Sequence, residues 1–284
     1  MNMQEVVGSF MADCKLRGLS TRTLEGYSHH LAQLSQLTHD YPPKPDIIQE
    51  FLANVNGGPY SRDAFFRSFR ALSNYGHKRF KTKNFMKSVT RPRIPKQVMP
   101  TLSYFELSLL AASMDAATPR DKAILCLLID TAIRSGEAAN LQRRDIQETT
   151  VTIHGKTGYR VAPISPSVRD RLLALPIYDD GYVFHGEGAS KYHHSRLQKT
   201  GFYQVVRKYV RLSGYSGRQF GPQLLRRSFG KFWLLAGGDL KSLSLILGHA
   251  SVATTDKYYT PLAIEDVVHI HREHTPIKVF EEVA

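Results

Sequence analysis

The stretch Arg91-Pro92-Arg93-Ile94-Pro95-Lys96-Gln97-Val98-Met99-Pro100 sets three prolines among basic residues. Proline fixes φ and supplies no backbone donor, so neither a helix nor a sheet ladder runs through such a stretch. It reads as an extended, semi-rigid connector. The chain of 284 residues is thereby divided into an N-terminal domain, residues 1–90, a linker, residues 91–100, and a C-terminal domain, residues 101–284. Both domains are long enough to bury a core.

Before the connector the sequence reads as helices. Leu16, Leu24, Tyr27, Leu31 and Leu34 recur at helical spacings, with Ser20-Thr21 offering an N-cap. Pro42, Pro43 and Pro45 then break the chain, and residues 60–80 form an amphipathic stretch with Phe65, Phe66, Phe69 and Leu72 on its apolar side. After the connector, residues 103–114, 119–133, 167–175, 195–212, 222–235, 240–247 and 263–271 read as helices, with Thr118-Pro119 a cap and first-turn pair. Residues 149–154 and 159–164 alternate apolar and polar types and read as two short strands joined by Gly155-Lys156-Thr157-Gly158. The fold class is mainly α with a small β-sheet.

Charge narrows the partner. Thirty-eight Lys and Arg against twenty-five Asp and Glu give +13, which points to a polyanion, nucleic acid before an acidic membrane surface. Eleven of the basic residues, Arg62, Arg67, Arg70, Lys78, Arg79, Lys81, Lys83, Lys87, Arg91, Arg93 and Lys96, fall within residues 62–96, where Asp63 is the single acid. A solvated helix face mixes signs; this stretch does not, so these residues are read as phosphate contacts.

Other classes drop out. The longest apolar run, residues 123–133, is interrupted by Asp130 and is shorter than the roughly 20 residues of a membrane span. The first residues lack the pattern of a secretory signal, and Cys14 and Cys126 read as buried thiols. The expected setting is a reducing cytoplasm, associated with the nucleoid. Gly186-Glu187-Gly188-Ala189-Ser190 lacks the lysine of a phosphate loop, His193-His194 reads as a surface pair, and His269, His271 and His274 lack the ligands to complete a zinc site. No metal site is expected.

Isolated basic residues in apolar settings remain. Arg134 closes the apolar run, and a charge there needs an anionic partner: Glu137, Asp130 or an incoming phosphate. Gln223 and Arg226 share a helix face, with Arg227 pointing elsewhere and Phe229 and Trp233 on the core side. Gly248 caps the helix over residues 240–247, leaving His249 exposed, and Tyr258 follows nine residues later, next to Tyr259.

Taken in order, Thr131-Ala132-Ile133-Arg134-Ser135-Gly136-Glu137, Gly155-Lys156-Thr157-Gly158, Leu225-Arg226-Arg227-Ser228-Phe229, Leu247-Gly248-His249 and Thr254-Thr255-Asp256-Lys257-Tyr258 resemble the tyrosine recombinase (phage integrase) family. The resemblance extends over nearly the whole chain. It implies a two-domain clamp on DNA, a helical core-binding domain and an α/β catalytic domain, and cleavage through a 3′-phosphotyrosyl intermediate without metal, ATP or other cofactor. Tyr258 would be the nucleophile, Arg134 and Arg226 would neutralise the charge on phosphorus, and Lys156 would protonate the departing 5′-oxygen. His249 would bond the phosphate or assist proton movement, and Glu137 would orient its neighbour. Gln223 departs from the family's usual histidine; it can donate a hydrogen bond but not carry a proton. The implied partners are double-stranded DNA at specific core sites, further copies of the chain in a tetramer on two sites, and accessory DNA-bending or host factors. The end Ile277-Lys278-Val279-Phe280 reads as docking on its own domain or on a neighbouring subunit. Two alternatives share these residues: a type IB topoisomerase-like DNA-relaxing enzyme, and a non-catalytic DNA-binding protein on a recombinase scaffold.

Overall fold

The computed structural model describes residues 1–95, 99–155, 158–187 and 195–249, together with 251, 253 and 255. The chain forms two compact units, Met1–Gln97 and Val98–Ala284. It is mainly helical, with one two-stranded antiparallel sheet among the described residues.

The first unit holds α1 (Met3–Leu16), α2 (Thr21–Leu37), α3 (Pro45–Asn54) and α4 (Pro59–Phe80). Ser20 caps α2, its side chain accepting from the Thr23 amide. The apolar face of α4 buries Phe65, Phe66, Phe69 and Leu72 against Phe10 and Cys14 of α1, Leu31 and Leu34 of α2, and Ile48 and Leu52 of α3. Each such side chain contributes roughly 1.5–3 kcal/mol by leaving water. Two sequence expectations fail here. Leu16 is 89% exposed, because α1 turns its core face inward at Cys14 and ends two residues later. Pro45 does not break the chain but opens α3, in the first turn, where a missing N–H costs nothing.

The second unit holds α5 (Tyr104–Ser113), α6 (Pro119–Thr131), α7 (Ser135–Ala138), β1 (Thr150–Gly155), β2 (Gly158–Pro163), α8 (Pro166–Leu173), α9 (Lys199–Leu212), α10 (Pro222–Leu235) and α11 (Leu240–Leu247). Thr118 caps α6, accepting from the Asp121 amide, and Pro119 opens it. Helix α6 packs against α8, α9 and α10, which is why its sequence is apolar on nearly every side. It stops at Thr131, short of Ile133, because Ala132 adopts the left-handed conformation at φ 50°. Thr131 supports the stop: its hydroxyl donates to Leu127 O and accepts from the Ile133 amide. Helix α9 starts at Lys199, later than expected, because the preceding residues pair as an extended segment, with Gly186 N on Ser195 O and Leu197 N on Phe184 O, each at 2.8 Å.

In the sheet, Thr150 lies opposite Pro163 and Gly155 opposite Gly158. The core face of the hairpin is carried by Val151, Ile153 and Ala162. Cys14 is buried and Cys126 half-buried, both as free thiols, and burial raises both above the ordinary thiol pKa. No described helix is long and apolar enough to cross a membrane. The helix expected over residues 263–271 and the apolar end at Ile277, Val279 and Phe280 lie outside the described residues.

Candidate active site and nucleic-acid interface

Arg134 sits where α6 has ended and α7 begins, as the N-cap of α7 with extended φ and ψ. Three residues on, Glu137 folds back. Its Oε2 accepts the Arg134 amide at 3.0 Å and its Oε1 takes Arg134 Nη1 at 2.8 Å. Of the two carboxylates that could have paired with Arg134, Glu137 is the partner. Asp130 is occupied elsewhere, accepting the amide (2.8 Å) and hydroxyl (2.6 Å) of Ser165 ahead of α8. Burial by itself raises the Glu137 carboxyl, but the hydrogen bond and charge of Arg160 and the bonds from Arg134 outweigh it and hold the group below its ordinary value.

Arg226 comes from α10 and is 3% exposed. A buried guanidinium requires acceptors, and two helix C-termini supply them. Nη1 donates to Ala132 O, just past α6, at 2.5 Å, and Nη2 donates to Leu247 O, at the end of α11, at 2.6 Å. Unpaired carbonyls and the negative end of the macrodipole both favour a cation there. Arg227 turns away to Gln219 Oε1 at 2.6 Å.

Gly248 caps α11 in the left-handed region at φ 61°, as its sequence position predicts. His249 is half-buried rather than exposed. Its Nε2 faces Arg226 Nη2 at 3.2 Å and its Nδ1 faces Thr255 Oγ1 at 2.8 Å. Since a guanidinium only donates, Nε2 is the acceptor and the ring proton sits on Nδ1. Burial, followed by the charges of Arg226, Arg134 and Arg160, lowers the imidazole pKa to about 4, so His249 is neutral at neutral pH.

Arg134, Glu137, Arg160, Gln223 and His249 line one open pocket of about 1070 Å³, with Gly155 and Gly158 of the hairpin on its wall. Gln223 is exposed to it; Arg226 lies against His249, nearly closed to solvent. Lys156 and Tyr258, and the competitor Tyr259, lie outside the described residues, as do His193, His194, His269, His271 and His274. Among the described residues no group of three or more His, Cys, Asp or Glu is placed to hold a metal. Sequence reasoning missed Arg160, whose signal, a basic residue on the inward-facing register of β2, is too common to single out.

In the first unit, Arg67, Arg70, Lys78, Arg79, Lys81, Lys83, Lys87, Arg91 and Arg93 are exposed and Arg62 is half-buried; Lys96 lies outside the described residues. The lone acid of this stretch is buried beneath the basic residues. Asp63 is 4% exposed and takes Arg67 Nε at 2.9 Å and Arg91 Nε at 2.8 Å. Arg67 and Arg70 border a groove of about 430 Å³ between α2 and α4, whose other wall adds Arg22. Sequence reading passed over Arg22 because it is isolated in its own helix and joins the cluster only through packing. Removing Lys78 or Lys83, both exposed on the surface, is expected to weaken DNA binding equally on all sequences and to reduce the log–log salt slope by about 0.9 for each phosphate no longer neutralised. Titrations between about 50 and 200 mM salt check this; a slope unchanged by either substitution would remove both residues from the interface.

The chain is 25% identical to "Tyrosine recombinase XerD" of Vibrio cholerae, over 92% of each chain. It is 28% identical to "Tyrosine recombinase XerA" of Pyrococcus furiosus, over 89% of this chain and 88% of the relative. Its fold matches that of a lambda integrase dimer bound to a COC′ core site, with a TM-score of 0.73 at 15% identity over 91% of this chain and 95% of the other. It also matches XerH bound to a palindromic difH substrate in a post-cleavage complex, with a TM-score of 0.72 at 18% identity over 96% and 85%. The phage integrase family model matches residues 101–265, more than half of the chain and all the pocket residues named above: this protein belongs to the phage integrase family.

Proposed function

We propose that the chain is a tyrosine-type site-specific DNA recombinase, cleaving and rejoining duplex DNA through a 3′-phosphotyrosyl intermediate. The observation that carries this reading is the cluster of Arg134, Arg226 and a neutral His249 around one open pocket, each held by protein contacts before any substrate arrives. Fixed cations of this kind favour the extra negative charge on a five-coordinate phosphorus and need no reorganisation as it forms.

In the cleavage step the Tyr258 oxygen bonds to phosphorus and gives up its proton to His249. The bond from phosphorus to the 5′-oxygen breaks, and that oxygen takes a proton from Lys156. The ester energy is kept in the protein–DNA bond, so the reverse attack by a partner strand's 5′-hydroxyl reseals the backbone without an energy source. Gln223 contributes a hydrogen bond to a phosphate oxygen and no proton, which leaves that proton movement to the neutral His249. Residues 1–90 and 101–284 act as the two halves of a clamp, joined by residues 91–100. The exposed basic residues of α4 and the segment after it supply phosphate contacts that fix register without reading bases. Strand exchange between two sites calls for four copies of the chain, and accessory DNA-bending factors would assist their assembly.

The test is denaturing electrophoresis of labelled, nicked duplex from the DNA flanking the gene, incubated with the protein in EDTA. A slow-migrating, protease-sensitive adduct is expected. Tight DNA binding without any adduct would favour the non-catalytic scaffold instead.

A further inference from the structure

Glu137 serves two arginines. Arg134 occupies its Oε1, and Oε2, which also accepts the Arg134 amide, takes Arg160 Nη2 at 2.9 Å. Arg160 stands on β2, and its Nε donates to Ile246 O, in the last turn of α11, at 3.1 Å. One planar guanidinium therefore bridges a carboxylate on α7 and a carbonyl two residues before the Gly248-His249 turn. The two acceptors lie 23 and 86 residues away in sequence. The side chain is 15% exposed, and its stem runs against Gly248 so closely that a Cβ there would meet Arg160 Cδ at 2.6 Å. Gly248 is thus required twice, for its positive φ and for this approach.

We infer that Arg160 is a positioning residue for strand cleavage: it locks the Glu137–Arg134 pair to the turn that carries His249, so that the first arginine and the imidazole keep one spacing. A guanidinium suits this task because Nε and Nη2 point along one edge in a fixed fork, whereas an ammonium has a single centre. Arg160 acts through Glu137 and through α11. Its charge also adds to those of Arg226 and Arg134 in keeping His249 neutral.

This inference rests on the recombinase reading, and one assay separates the two. With the nicked flanking duplex, the full-length protein, Arg160→Met, Arg160→Lys, Glu137→Gln and the Glu137→Gln/Arg160→Met double variant are compared for the rate of adduct formation at saturating protein. DNA half-saturation and thermal melting are measured alongside. Arg160→Met is expected to slow adduct formation by about 10²-fold, the cost of a misplaced catalytic group, with half-saturation within about threefold of the unaltered chain. The double variant is expected to be no slower than Glu137→Gln by more than about threefold, because the two residues act as one unit. If Arg160→Met melts near the assay temperature, Arg160→Lys and the Glu137→Gln/Arg160→Lys double variant carry the test, with an expected single-variant loss of about tenfold and the same non-additivity. Losses that multiply in the double variant, or rates unchanged in the single ones, would overturn the assignment. Absence of adduct with the unaltered chain would instead count against the recombinase reading itself.

Discussion

A Tyr258→Phe protein is expected to bind duplex DNA as tightly as the unaltered chain and to form no covalent adduct with it, a loss of roughly 10⁴-fold or more. The substitution removes one oxygen and leaves the ring, so it takes away the proposed nucleophile and little else. The described part of the chain reaches close to this position. Thr255 is fully buried, and its hydroxyl accepts the Nδ1 proton of His249 at 2.8 Å. Tyr259, one residue later in the sequence, would project about 100° away from its neighbour if both stood on one helix. Tyr259→Phe is accordingly expected to form the adduct at a near-normal rate. Loss with Tyr259→Phe, and not with Tyr258→Phe, would transfer the nucleophile to the later residue while leaving the chemistry as proposed.

Arg226→Ala is expected to damage both fold and function. Two helix-terminal carbonyls, Ala132 O and Leu247 O, lose charged donors in a place closed to water. At about 1–3 kcal/mol for each stranded group, partly recovered by relaxation, the second unit loses about 3 kcal/mol. Its melting temperature falls by roughly 6–12 °C. On the proposed mechanism adduct formation falls by about 10³-fold or more even well below the new melting point, since the fixed cation assigned to the reacting phosphate is gone. The same change moves the imidazole. Burial still disfavours the charged ring, but removing the nearest opposing charge lets the His249 pKa rise from about 4 toward its ordinary value, which an NMR titration of the ring reads directly. Arg226→Lys keeps the charge but cannot reach both carbonyls along one edge, so it is expected to retain more stability than activity. An Arg226→Ala protein with unaltered melting and cleavage would refute this account of the buried guanidinium.

Local signals are legible in the sequence. The caps at Ser20 and Thr118, the glycine stop at Gly248 and the two alternating strands each depend on residues within a few positions of one another. The Arg134–Glu137 pair is one of three partnerships the sequence leaves open to Arg134, and the turn that three residues close is the one formed. What the sequence conceals depends on distant partners. Arg226 reads as a cation aimed at substrate, yet its environment is made by carbonyls 94 and 21 residues away. Arg160 carries no local mark at all. His249 reads as exposed after a helix cap, and only the approach of Arg226 and Thr255 half-buries it. Pro45 shows a different failure: proline both ends helices and begins them, and composition does not tell which.

The proline-rich connector is pinned at each end by a side chain. At its start Arg91 is clamped to the buried Asp63 of α4. Past its last proline, the amide of Leu102 is held at 2.8 Å by the hydroxyl of Ser228, which stands on α10 two residues beyond Arg226. The side chain that receives the chain at the start of the second unit thus stands on the helix whose buried arginine ties the ends of α6 and α11 together, so the entry of the chain and the seating of that cation depend on one helix.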